Sequence, residues 1–131
     1  MLKFYLASSF SLKDKVSEIA EYLKARGHIV MVEWWKYDYK QLDLPDEEWY
    51  QDSRVTWISE RNFNGVVDAD VFVLVADCNR SKKFNGANIE LGYALALNKP
   101  CYCVGVLERS AMYVPVKQYS SIEEILSRLE P

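Results

Sequence analysis

Metal-binding side chains are scarce in this sequence. His28 is the one histidine, and the three cysteines, Cys78, Cys101 and Cys103, never form a CxxC pair. A structural zinc site draws four ligands of this kind from set spacings, so no resident metal is expected. Cys101 and Cys103 flank Tyr102 in an apolar run that reads as a strand. Alternation along a strand puts both on one face as small buried hydrophobes, the reduced thiols of a cytoplasmic protein. No apolar run approaches the roughly 18 residues of a membrane span, and Met1-Leu2-Lys3-Phe4 leads directly into a strand, so a soluble, unprocessed chain is expected. Charge of one sign is not in excess either, with 16 Lys and Arg against 19 Asp and Glu and a formal net charge of -3. Without a global positive field, a small molecule is the expected partner and a nucleic-acid polymer is not. A GxGxxG after the first strand and a GxxxxGK[ST] are both missing, which excludes the dinucleotide fingerprint and the P-loop. No internal repeat or low-complexity tail interrupts the chain.

What is present is core-forming material. Half of the 131 residues are hydrophobic, enough for one domain over residues 1–131 without cross-links. Residues 2–7 read as a buried strand emptying into Ser8-Ser9. Residues 12–26 carry Leu12, Val16, Ile19, Ala20 and Leu23 at helical spacing, with Gly27 as terminator. Residues 28–33 read as a second strand, followed by an aromatic segment with Trp34, Trp35, Tyr37 and Tyr39, which either packs on the core or walls a pocket for a flat base. A helix is expected over about residues 46–67 with Asp46 as its cap. Residues 70–76 form the clearest buried strand. A polar loop, a helix over 86–98 stopped by Lys99-Pro100, a strand over 101–107, a short strand near 114–117 and a helix over 120–129 complete the order. The alternation implies an α/β fold: a single doubly wound, flavodoxin/Rossmann-like domain with a four- to five-stranded parallel sheet and helices on both faces.

Ligands of such sheets bind at the carboxyl ends of the strands. Residues 8–11, 77–90 and 108–113 therefore converge on one crevice. Glu90 stands out there as a carboxylate close behind a helix start, where the helix dipole is expected to hold its pKa low and suit it to a nucleophile or cation stabiliser. An acidic residue that merely complements the dipole is the plainer alternative. Gly92, one turn's edge further on, is expected to let the helix lie close to a neighbouring element. Arg80, Lys82 and Lys83 either neutralise a bound phosphate or form a solvated loop.

The string from Gly86 through Asn88-Ile89-Glu90-Leu91-Gly92-Tyr93-Ala94 to Lys99-Pro100 resembles the signature of nucleoside 2-deoxyribosyltransferases and their nucleotide N-glycosidase relatives. Phe4-Tyr5-Leu6-Ala7-Ser8-Ser9-Phe10 and Asp68-Ala69-Asp70-Val71-Phe72-Val73 agree with the family in the same order. The resemblance implies cleavage or exchange of the N-glycosidic bond of a 2'-deoxynucleoside or its 5'-monophosphate, with no cofactor and with Glu90 as the nucleophile. It implies that the Tyr5 hydroxyl steadies this carboxylate; otherwise Tyr5 is an apolar ring in a buried strand. Ser9 matches a 5'-phosphate position, with Ser8 beside it, although both also suit a helix cap. The candidate substrate-binding set is Ser8, Ser9, Phe10, Asn62, Asn85, Gly86 and Asn88.

Two positions depart from the family pattern. Phe84 stands where an Asp six residues before the nucleophile handles the sugar or base, and Asn62 stands where an Asp helps protonate the departing base. An amide cannot supply an acidic proton, which leaves Asp68 and Asp70 as nearby substitutes. Asp70 is the candidate third catalytic residue, or else a structural carboxylate at the strand entrance. A nucleotide-binding module without catalysis is the alternative these departures support. The resemblance also implies a homodimer or higher homo-oligomer, for which the aromatic segment from Trp34 to Tyr39, with Trp49, Tyr50 and Trp57, offers surface; the alternative is that these residues fill the domain's own core.

Overall fold

The computed structural model describes residues 1–37, 42–77 and 84–129. Five parallel strands, β1 (Lys3–Ala7), β2 (Ile29–Met31), β3 (Val71–Val75), β4 (Cys101–Val104) and β5 (Lys117–Tyr119), form a sheet in the order β2-β1-β3-β4-β5. Helices α1 (Lys13–Ala25), α2 (Asp46–Trp49), α3 (Ser53–Asp68), α4 (Asn85–Ala96) and α5 (Ile122–Leu129) lie between and after them. This is the expected α/β architecture, with all five strands present and a flavodoxin-like strand order.

Alternation along β1 and β3 divides the core in two. Phe4, Leu6, Val71 and Val73 face α1 and α5, packing on Val16, Ile19, Ile125 and Leu126. Tyr5, Ala7, Phe72 and Leu74 face the other way, onto Val66 of α3 and Ala87, Leu91 and Ala94 of α4. Burial on both faces is why these strands read as unbroken apolar runs. Cys101 and Cys103 share the second face as expected, and burial pushes their thiols up to about 11 and about 12. They are packing groups, not reactive thiolates. Cys78 lies outside the described residues.

The ends of the elements differ from the sequence expectations where side chains or backbone geometry intervene. The single helix expected over 46–67 is two, because the chain turns extended at Asp52, whose carboxylate accepts from Arg54 N at 2.8 Å and caps a new start at Ser53. The Arg54 guanidinium on the same carboxylate holds it down to about 2. α4 stops before Lys99-Pro100: Asn98 adopts a left-handed backbone (φ 59), and Asn98 N and Lys99 N bond back to the Leu95 and Ala94 carbonyls at 3.0 Å each. That is a Schellman end, and Gly27 (φ +82) ends α1 in the same way. β4 is shorter than expected because Gly105 turns to φ +113, and the fifth strand lies at 117–119 instead of 114–117. Gly92 is not a close-packing glycine within this chain, since a Cβ there would meet nothing within 4 Å.

No helix among the described residues is long and apolar enough to cross a membrane. No group of three metal-ligating side chains occurs among them either.

Candidate active site

The topology opens a crevice between β1 and β3. β1 leads to α1 on one face of the sheet and β3 leads toward α4 on the other, so the two connections diverge at the carboxyl ends of adjacent strands. A cavity of about 650 Å³ lies there. Ser8, Ser9, Phe10 and Ser11 line it from the end of β1, Asn85, Gly86, Ala87, Ile89 and Glu90 from α4, and Ser59, Asn62 and Phe63 from one face of α3. Trp34 completes the wall and is fixed in place by its indole N–H, which donates to the Leu6 carbonyl at 2.7 Å. Its neighbour Trp35 is buried in the core against it, whereas Tyr37 is exposed. The aromatic segment thus contributes both to the core and to the pocket wall; Tyr39 lies outside the described residues.

Glu90 sits at the sixth position of α4 and receives the hydroxyl proton of Tyr5 in a hydrogen bond. Tyr5 is fully buried in β1, and its ring stacks on Phe72 of β3 at 5.7 Å between centroids. The ring fits because residue 65 of α3 is glycine: a Cβ there would lie 3.1 Å from Tyr5 Cε2 and 2.7 Å from Val32 Cγ2. Burial pushes the Glu90 carboxyl up to about 7, with the Tyr5 hydrogen bond opposing the shift. The expectation of a carboxyl held low is therefore corrected. The helix dipole acts within the first turn, and Glu90 lies beyond it, where desolvation dominates.

Of the residues singled out from sequence, Ser8, Ser9, Phe10, Asn62, Asn85, Gly86 and Glu90 meet on the cavity wall, with Tyr5 immediately behind Glu90. Asp70 does not join them. It precedes β3 at the amino end of the strands and accepts from Lys3 N at 2.9 Å, the structural alternative. Asn88 points away from the cavity lining and accepts from the Tyr113 hydroxyl at 2.8 Å, joining α4 to the segment after β4. Phe84, buried in the core beside α4, fills space where a carboxylate would be costly. Arg80, Lys82 and Lys83 lie outside the described residues. Sequence reasoning missed Ser59 and Phe63, although their i, i+3, i+4 spacing with Asn62 is the signal that one helix face carries all three.

Among the described residues, Glu90 is the one carboxylate on the cavity wall. The Ser9 and Ser11 hydroxyls stand 2.6 Å apart there, and Ser8 Oγ is committed to the Val75 carbonyl at 2.6 Å. Among the described residues, the arrangement offers a single ionisable group, a cluster of neutral hydroxyls, and the rings of Phe10, Trp34 and Phe63.

The sequence matches the family described as Nucleoside 2-deoxyribosyltransferase over residues 4–121. No protein of curated function matches it by sequence. Among solved structures, it is similar to a 2-deoxyribosyltransferase from the psychrotolerant bacterium Bacillus psychrosaccharolyticus, with a TM-score of 0.62 and 19% identity over 94% of this chain and 89% of that one. It is also similar to the CMP N-glycosidase of Clostridium botulinum, with a TM-score of 0.61 and 16% identity over 98% of this chain and 99% of that one. Identities this low establish a shared fold.

Proposed function

Because this chain belongs to the nucleoside 2-deoxyribosyltransferase family, we propose that it cleaves or exchanges the N-glycosidic bond of a 2'-deoxynucleoside or its 5'-monophosphate, with Glu90 as nucleophile. The observation that carries the reading is the Tyr5 hydroxyl on the Glu90 carboxylate at the wall of a cavity large enough for a nucleotide. In its ionised form Glu90 attacks the anomeric carbon as the carbon–nitrogen bond breaks, and the bonding pair leaves with the base, which takes up a proton. Water or a second base then displaces the carboxylate from the glycosyl-enzyme, and the incoming group loses a proton. Two displacements replace one difficult step. The Tyr5 hydrogen bond stabilises the charged form of Glu90 that the first step consumes and the second restores.

The rings of Phe10, Trp34 and Phe63 suit the flat face of a base. The Ser9 and Ser11 hydroxyls favour the 5'-monophosphate over the free nucleoside. The test is incubation with each deoxynucleoside and deoxynucleotide, with and without a free second base. Released or exchanged base that disappears in Glu90→Gln supports the proposal, and no turnover by folded protein across the panel refutes it.

A second reading, a binding module with reduced or absent catalysis, is favoured by one observation. The cavity wall carries Asn62 and no second carboxylate among the described residues to protonate the departing base. It predicts thermal stabilisation by a nucleotide without base release.

A further inference from the structure

Asn62 reaches the cavity wall with its amide already engaged on one side. The neighbouring Arg61 donates to Asn62 Oδ1 from Nε at 3.3 Å and from a terminal guanidinium nitrogen at 3.2 Å. Arg61 is itself held in place, its guanidinium 4.8 Å from the Trp57 ring centroid one helical turn earlier and 5.4 Å from that of Tyr37. A guanidinium carries donors and no acceptor, so the atom that faces it must be the amide oxygen. The Asn62 NH2 group is thereby turned away from Arg61; it makes no hydrogen bond to another described residue and is open to solvent rather than buried.

We propose that Arg61 is a positioning residue that locks the Asn62 amide with its NH2 group toward the ligand, so that the cavity selects a base presenting a hydrogen-bond acceptor at that point. The proposal rests on the reading of the cavity as a nucleoside or nucleotide site. It gives Asn62 the role of a specificity-determining donor. An ionised carboxylate at the same place would present acceptors only and favour the opposite edge of a base. A site built around an unpaired donor discriminates strongly, because a ligand lacking the acceptor leaves that donor desolvated and unpaired.

The experiment compares each deoxynucleotide with analogues in which one base acceptor, a ring nitrogen or a carbonyl oxygen, has been removed. In the wild type, removal at one position is expected to lower kcat/KM by about tenfold to a hundredfold. In Arg61→Met, which retains an alkyl stem over Trp57 but cannot donate, the amide is free to turn and that ratio should shrink several-fold. Asn62→Asp should remove or reverse it. A wild type indifferent to every deletion, or a ratio unchanged in Arg61→Met, overturns the proposal. If no compound is turned over at all, the catalytic reading fails separately. The same ratios are then read from ligand-induced shifts of Tm in Glu90→Gln, where a preference that Arg61→Met abolishes supports the amide lock, and no shift with any compound overturns it.

Discussion

Replacing Glu90 by glutamine should make the protein more stable, and more so as the pH rises. Burial raises the Glu90 carboxyl from 4.5 to about 7. Between those values the folded chain holds a proton that the unfolded chain has released, so stability falls as pH increases across the window. Below about pH 4.5 both states are protonated and the penalty is absent; above about pH 7 it is fully expressed, at about 3 kcal/mol for a shift of this size. Glutamine keeps the shape and the capacity to meet the Tyr5 hydroxyl but never ionises. The variant should therefore match the wild type near pH 4.5 and exceed it by about 3 kcal/mol near pH 8, a difference of roughly 10 °C in Tm for a domain of this size. Thermal or urea unfolding of both proteins across pH 4.5–8.5 measures it. Taking the difference between the two proteins cancels the titration of Glu33 and Asp52, whose carboxyls are lowered by Lys24 and Arg54 respectively. A difference that stays flat with pH, or a stability gain confined to acid, would mean that desolvation does not dominate at this site.

Base release should fall on the acid side with an apparent pKa of about 7, because the nucleophile must be ionised; a pH profile of kcat/KM reads this directly. Tyr5→Phe removes the hydrogen bond that favours the charged form of Glu90, so the acid limb should move to higher pH by about one unit. A limb that stays in place would show that the hydroxyl does not act on the carboxylate. Gly65→Ala places a methyl group 2.7 Å from Val32 Cγ2 and 3.1 Å from Tyr5 Cε2, which should cost about 1–3 kcal/mol by overpacking and reduce turnover through the displaced tyrosine. Urea unfolding together with kinetics separates the two effects. Asp70→Asn should leave kcat within about twofold, since a lost proton donor would instead lower it by about 10²–10⁴-fold; the residue caps Lys3 N at the far end of the strands.

The order of strands and helices was legible in the sequence because each core element carries a local signal. The unbroken apolar runs of β1 and β3 report burial on both faces, and the spacing of Val16, Ile19, Ala20 and Leu23 reports the one buried face of α1. The break in the helix before Asn62 was not legible, because Asp46 and Asp52 are equally good caps by residue type and only the extended backbone at Asp52 shows that a second helix starts there. The loop serines and Glu90 were accessible as candidates because parallel sheets place ligands at strand ends. Asp70 stands at the amino end of β3, away from the cavity, a position that the placing of ligands at the carboxyl ends of parallel strands already disfavours.

The α/β class, the order of strands and helices, and a carboxylate at residue 90 behind a strand-to-helix turn were all set by the amino-acid sequence. Local periodicity and turn chemistry encode these directly. The tertiary structure alone decided that Tyr5 reaches Glu90, that Ser59, Asn62 and Phe63 share the cavity wall, and that Arg61 faces the Asn62 amide. It also raised the Glu90 carboxyl to about 7, where a low value was expected. A helix start can be seen in a string of residues, but the desolvation that overrides its dipole depends on which side chains from distant elements exclude water around one carboxyl group.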